Sequence, residues 1–144
     1  MRKELEDRLC EKYSKIFAYS ASDEDHVSLM AYGCDHGDGW FNILDSLCAN
    51  IQHHIDWKSK KEEYKNMSVQ EYDEEHQTRV VQVKEKFGGL RFYVNNSDDV
   101  VIGMISLAES LSLKTCEYCG NPGYPRRGPW IKTLCDACDD KKRK

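Results

Sequence analysis

Four cysteines near the C-terminal end carry the clearest chemistry in the chain. Cys116-x-x-Cys119 is followed by fifteen residues and then Cys135-x-x-Cys138. Each Cys-x-x-Cys pair forms a knuckle that brings two sulfurs to one ion, and two knuckles at this spacing make a tetrahedral site for Zn2+. Gly120 lets the chain turn back after the first knuckle. Four thiolates close the coordination sphere and leave no position for water or substrate, which predicts one structural Zn2+. Gly, Pro and charge dominate the rest of this end, so the metal is expected to stabilise what no core would hold.

Between the knuckles lie Tyr124, Arg126, Arg127, Trp130 and Lys132. They read either as an exposed aromatic and cationic surface for phosphates, bases or a protein partner, or as packing and solvated charge. For Arg126 and Arg127 both readings stay open. For Trp130 the sequence favours packing, with Ile131, against the rest of the protein.

Other groups carry weaker signals. Cys34-Asp35-His36-Gly37-Asp38 gathers metal-capable side chains in one turn, but without ligand pairs at a recognisable spacing. A capped helix start with solvated polar residues is expected there, a second metal site at Cys34 and His36 or a catalytic His36 being the alternatives. Cys10 and Cys48 read as small buried hydrophobes. Of His53 and His54, which sit in one helical pattern, a single ring can face inward, as a hydrogen-bonded and partly buried histidine. Zinc knuckles also support histidine-based nucleases, yet no histidine follows His76. Nor is there a Gly-rich phosphate loop, a His-Glu-x-x-His or a nucleophile elbow, so the expectation is a protein that is not an enzyme.

Charge divides the chain. Of 144 residues, the first 113 hold 13 Lys or Arg against 21 Asp or Glu, and the last 31 hold 8 against 4. An acidic body argues against nucleic-acid binding over the whole surface. Glu62, Glu63, Glu71, Asp73, Glu74 and Glu75 crowd one stretch, which suits a solvated face or a contact with a basic partner, such as a groove that normally holds nucleic acid. The N-terminus has no apolar signal-peptide region, and the run Val100 to Ala108 is about half the roughly 20 residues a bilayer crossing needs. The expected compartment is the cytoplasm, with no membrane contact.

The elements that must position these groups follow from periodicity. Residues 2–18 place Leu5, Leu9, Tyr13, Ile16 and Phe17 on one helical stripe. Residues 19–37 read as loop. A second helix begins near Asp38, whose carboxylate can cap it, and carries Trp40, Phe41, Leu44, Leu47, Cys48, Ile51 and Ile55 inward. Residues 58–77 form an acidic insert, either a solvated helix extension or a mobile segment. Residues 79–94 alternate as a hairpin turning at Gly88-Gly89. Ser97 or Asp98 caps a third helix to about Leu113, with Val101, Ile102, Met104, Ile105, Ala108 and Leu111 available for burial. The expected architecture is α+β. Amphipathic helices pack on a small antiparallel sheet over residues 1–113, a four-cysteine zinc ribbon spans 114–140, and 141–144 form a basic tail.

The segments GDGWFNILDSLC, VVQVKEKFGGLRFYV, the ISLAE helix, TCEYCG and TLCDAC resemble a family of small phage and bacterial proteins, and span most of residues 37–138. That family offers no catalytic residues to carry over. The resemblance implies a phage or mobile-element setting. It also implies a similarity to zinc-containing type II anti-CRISPR proteins that inhibit Cas9. The expected function is therefore inhibitory binding to a nucleic-acid-handling complex, with Cas9 or its guide-RNA complex as partner. The alternative is a nucleic-acid-binding accessory protein using Arg126, Arg127, Lys132 and the basic tail.

Overall fold

A computed structural model describes residues 1–18 and 33–143. Among these, five helices and two small antiparallel hairpins make an α+β fold, with the cysteine cluster at the C-terminal end. Helix α1 (Lys3–Lys12) leads into α2 (Phe41–Lys58) and α3 (Val69–His76). The main hairpin is β1 (Arg79–Lys86) with β2 (Gly89–Asn95), followed by α4 (Asp99–Ser112). A second hairpin, β3 (Tyr124–Arg126) with β4 (Lys132–Leu134), and α5 (Asp136–Arg143) complete the chain.

Helix α2 is the centre of the core. Trp40, Leu44, Leu47, Cys48, Ile51 and Ile55 are all buried, at the spacing of one helical face. Leu9, Tyr13, Ile16 and Phe17 cover it on one side, and Val80, Val83, Leu90 and Phe92 of the hairpin pack into the same cluster. Each such aliphatic side chain contributes about 1.5–3 kcal/mol by leaving water. The expected long first helix is shorter than its apolar stripe. It ends at Lys12, and turns in which Ile16 and Phe17 donate to Tyr13 O carry the last two core residues inward. Residues 19–32 of the expected loop lie outside the described residues.

Asp38 does not cap α2. Its carboxylate accepts from the main chain and guanidinium of Arg2, and a 3-10 turn over Asp38–Trp40 starts the helix with no side-chain cap. The insert is neither a helix extension nor unstructured. Ser68 and Glu71 form a reciprocal capping box on α3. Tyr72 buries its ring and donates to Ile55 O at 3.2 Å, which ties the insert to the end of α2.

The hairpin turn sits one residue earlier than Gly-Gly suggests. Lys86 pairs with Gly89, so Phe87 and Gly88 are the two turn residues, both at positive φ (54° and 79°). Two-residue turns of this kind match the right-handed twist of the strands. A bulge between Val80 and Gln82 lets Val80 and Val83 share the buried side, which strict alternation would forbid.

Both edges of the hairpin are covered. Asp35 bonds to Val83 O and Glu85 N along β1, and along β2 Leu90 N donates to Ser112 Oγ and Phe92 N to Glu109 Oε1 of α4. A two-stranded sheet is marginal alone, and this backbone satisfaction lets it serve as a platform. Of the two expected caps, Ser97 and Asp98, it is Asp98 that caps α4, accepting from Val101 N. Only part of α4 is buried, however, and Ile102 and Leu111 remain 53% and 46% exposed.

Candidate metal centre

The cysteine end is built onto the start of α2 rather than hung from a linker. Trp40 Nε1 donates to Thr115 O at 2.9 Å and Gly39 N to Glu117 O at 2.8 Å. At Gly39 a Cβ would lie 2.1 Å from Cys116 O, so only glycine admits the first knuckle this close. Gly120, at φ +77°, makes the expected return turn, its N–H donating to Cys116 O.

Cys116, Cys119, Cys135 and Cys138 place their sulfurs within 4.8 Å of one another, with Cys119 and Cys135 3.6 Å apart. A tetrahedron of sulfurs bound at about 2.3 Å has edges of about 3.8 Å, so the donors fit one four-coordinate metal ion. The spacing is far too long for a disulfide, whose sulfurs stand about 2 Å apart.

Local electrostatics agree with metal binding. Burial pushes the Cys116 thiol up, but main-chain N–H groups at Cys135, Cys119 and Tyr118 outweigh it and hold it at about 7. Burial and then the adjacent sulfurs of Cys135, Cys119 and Cys116 push Cys138 up to about 12. Four sulfurs this close cannot all ionise unless a cation joins them. Cys34 and Cys48 differ. Burial raises both, reinforced by Glu6 beside Cys34, which reaches about 12, and by the Cys34 thiol beside Cys48. They stay inert thiols in the core.

Two cations assigned to a surface by sequence are engaged inside the module. Arg126 donates to Leu134 O, Tyr124 Oη and Asp136 Oδ1, clamping β3 to the start of α5. Lys132 Nζ lies 2.7 Å from Glu117 and 3.3 Å from Glu85, and all three side chains are at most 17% exposed. Burial opposes the Lys132 charge, but Glu117 and then Glu85 outweigh it and raise its pKa. Glu117 also accepts from Gly37 N, so one carboxylate joins the knuckle, β4, β1 and the entry to α2. Sequence reading missed this hub, because nothing in the spacing of Glu85, Glu117 and Lys132 announces that they meet.

Trp130 does the opposite of what its size suggested. It is 70% exposed, and Arg127 is exposed beside the same loop. This loop meets the tip of the main hairpin: Thr133 Oγ1 donates to Gly88 O at 2.6 Å, and a Cβ on Gly88 would touch Ile131 at 3.0 Å. Phe87 projects from that tip, 71% exposed and in the left-handed backbone region that bulky side chains avoid. The aromatic-Gly-Gly sequence held this signal only for a turn centred one residue earlier.

The acidic insert lies at the other end. It precedes β1 directly, at the open end of a hairpin whose eight-residue strand spans about 26 Å. Glu71 is held by its capping box, Asp73 pairs with Lys15 at 2.7 Å and Glu62 pairs with Lys65. Glu74 accepts from Gln70, and Glu75 stands 3.7 Å from His76. Glu63 is exposed.

The Cys34–Asp38 turn is solvated only in part, at the exposed Asp35. Cys34 and His36 are buried, His36 Nδ1 faces Gly37 O at 2.7 Å, and His36 Nε2 has no hydrogen-bond partner. Burial, set against the nearby Gly37 carbonyl, lowers His36 to about 4. The two residues do not gather with others into a metal-ligand cluster among the described residues. His54 is the inward histidine, its Nε2 2.9 Å from Asp98. The tail is helical through Arg143, as the end of α5.

Fold and donor geometry together define an α+β protein whose four C-terminal cysteines are placed to hold one metal ion. Comparison of the chain with protein-family models, with curated proteins and with solved structures returned no match. Among the described residues, no helix is long and apolar enough to cross a membrane.

Proposed function

We propose that this chain is a binding protein with no chemistry of its own, in which Zn2+ holds a contact surface in place. The metal assignment follows from the donors: four thiolates in a closed tetrahedral set favour zinc and exclude a substrate position. The partner proposed is a nucleic-acid-handling complex, with Cas9 carrying its guide RNA as the first candidate, and the consequence of binding is inhibition. The setting proposed is the cytoplasm of a cell harbouring the phage or mobile element.

One observation carries the reading. Phe87 and Trp130, both about 70% exposed, occupy the junction of hairpin tip and metal loop, and Phe87 does so in a disfavoured backbone conformation. An aromatic kept exposed at a cost of about 1–2 kcal/mol marks a contact rather than a packing residue. Aromatic anchors of this kind dominate protein interfaces. Glu63, Glu74 and Glu75 at the far end suit a basic rim on the same large partner, as steering charge.

Incubation of the zinc-loaded protein with guide-loaded Cas9 tests this, reading complex formation and DNA cleavage. Binding and inhibition that both fall at least tenfold in Trp130→Ala support it. Full cleavage with no complex removes the Cas9 assignment. Direct nucleic-acid binding is the second reading, favoured by exposed Arg127 beside the exposed aromatics. It loses support because Arg126 and Lys132 are engaged internally, and it predicts affinity for DNA or RNA that falls steeply with salt.

A further inference from the structure

The outward face of the main hairpin is basic and aromatic, within the acidic first 113 residues of the chain. Register and burial put Val83, Glu85, Leu90 and Phe92 on the side facing the core, which leaves Lys84, Lys86, Arg91 and Tyr93 on the other. Glu85 is the one acidic residue of β1 and β2, and it is held at Lys132 with its side chain only 10% exposed. Lys84 stands directly across from Arg91 in the register, an opposition of like charges that destabilises a sheet. Arg91 is eased by one long ion pair, 3.7 Å to Glu109 Oε2. Among the described residues neither Lys84 nor Lys86 pairs with a carboxylate, and their ammonium groups lie over aromatic rings. Lys84 Nζ is 5.7 Å from the centre of Tyr93, and Lys86 Nζ is 5.4 Å from that of Phe87. Lysines commonly guard strand edges against unwanted pairing. Here Asp35 and α4 already cover both edges, so these cations have no edge to protect.

We infer that the outward hairpin face binds a single-stranded nucleic acid. Two units of cation and ring recur along the stripe, Lys84 with Tyr93 and Lys86 with Phe87, and the two lysines stand about 7 Å apart along β1. Each unit offers an ammonium to a phosphate and a ring on which a base can stack, the combination that holds single strands without reading their sequence. An acidic peptide would answer the charge but leave the rings unused. A duplex would answer it too, but its bases are stacked on one another and give Tyr93 and Phe87 nothing to stack on. RNA and DNA share the chemistry that the stripe requires. These cations are not the ones weighed above, since Arg126 and Lys132 are engaged inside the metal module. The stripe meets the contact proposed for Phe87 and Trp130 at Phe87 alone, so it stands independently of the partner named there.

Fluorescence anisotropy of the full zinc-loaded chain with labelled single strands of about 15 nucleotides, one of DNA and one of RNA, tests it at about 50 mM salt. Saturable binding to either strand is expected, and the tighter of the two identifies the source. Three phosphate contacts should make log affinity fall with log salt at a slope of about −2. Lys84→Gln and Lys86→Gln should each weaken binding about fivefold and flatten that slope by about 0.7. Tyr93→Leu should weaken it at least about fivefold and leave the slope unchanged, because stacking releases no counterion. Lys60→Gln, the same loss of charge at an exposed position after α2, should change nothing. Circular dichroism and zinc content establish that each variant is folded, and if Tyr93→Leu fails to fold the two lysine variants decide. Absence of binding at low salt overturns the proposal. So does equal affinity for a duplex or for polyglutamate, and so does a Lys84→Gln chain that binds as Lys60→Gln does.

Discussion

The two ends of this protein are held by different forces. Around α2, eighteen buried hydrophobic side chains form one cluster, whereas after Leu113 only Cys116 and Leu134 are buried hydrophobics among the described residues. The C-terminal end replaces apolar burial with four convergent sulfurs, a buried Lys132–Glu117–Glu85 group and an Arg126 clamp. A region held by convergent cysteines and paired charges does not need its aromatics inside. Tyr118, Tyr124 and Trp130 are accordingly 43%, 53% and 70% exposed. Large apolar side chains are thereby available for contact in a segment that would have too little core to fold by itself.

The comparison breaks most visibly if the metal is removed. Structural zinc contributes about 10–16 kcal/mol in small domains. Chelation, or Cys135→Ser, should therefore abolish hydrogen-exchange protection of residues 114–143 and of the Asp38–Trp40 turn docked on them. Helix α2 from Leu44 onward should keep its protection.

Next in size, Leu44→Ala at a fully buried position should cost about 2–5 kcal/mol by urea unfolding, without loss of zinc. Lys132→Met should cost about 3 kcal/mol, since it leaves Glu117 and Glu85 buried without their cation. Unlike Leu44→Ala, it should loosen the metal.

A pH effect of similar size belongs to the seam between the two ends. His36 is held to about 4 when folded and titrates near 6.5 when unfolded, so the unfolded chain takes up the proton first. Its full contribution to stability is present above pH 6.5, and about 3 kcal/mol is lost as pH falls towards 4. The opposing groups around it are the N-terminal amine, which favours the neutral ring, and Asp35 and Asp38, which favour the charged one. Thermal unfolding of wild type and His36→Gln across pH 7 to 5 checks this, the variant showing the shallower fall.

The smallest effect sharpens the contact reading. Phe87→Asn places a residue that tolerates positive φ at the turn, so stability should rise by up to about 1 kcal/mol while partner binding falls. Loss of both would assign Phe87 to packing instead.

The sequence made the locally determined parts legible. Periodicity located α2 and α4, alternation located the hairpin, and Asp98 was readable as a cap because a cap acts within three residues. Cys-x-x-Cys spacing picked out the four cysteines that converge, for the same reason. What escaped depends on long-range meeting. Asp38 was available as a cap until Arg2, thirty-six residues away, took its carboxylate. The Gly88-Gly89 pair could not say which two residues make the turn, since the register is set across the strands. Lys132 and Arg126 looked like surface cations because their partners are decided by how the module docks. Trp130 was read as packing on size, in a segment where convergent cysteines and paired charges stand in place of an apolar core.

Mass spectrometry of the native protein, alone and after denaturation with a chelator, tests the central claim that metal holds the C-terminal end. One zinc ion per chain is predicted in the native spectrum, and seven free thiols after denaturation. A chain without metal that carries a disulfide among Cys116, Cys119, Cys135 and Cys138 would contradict it.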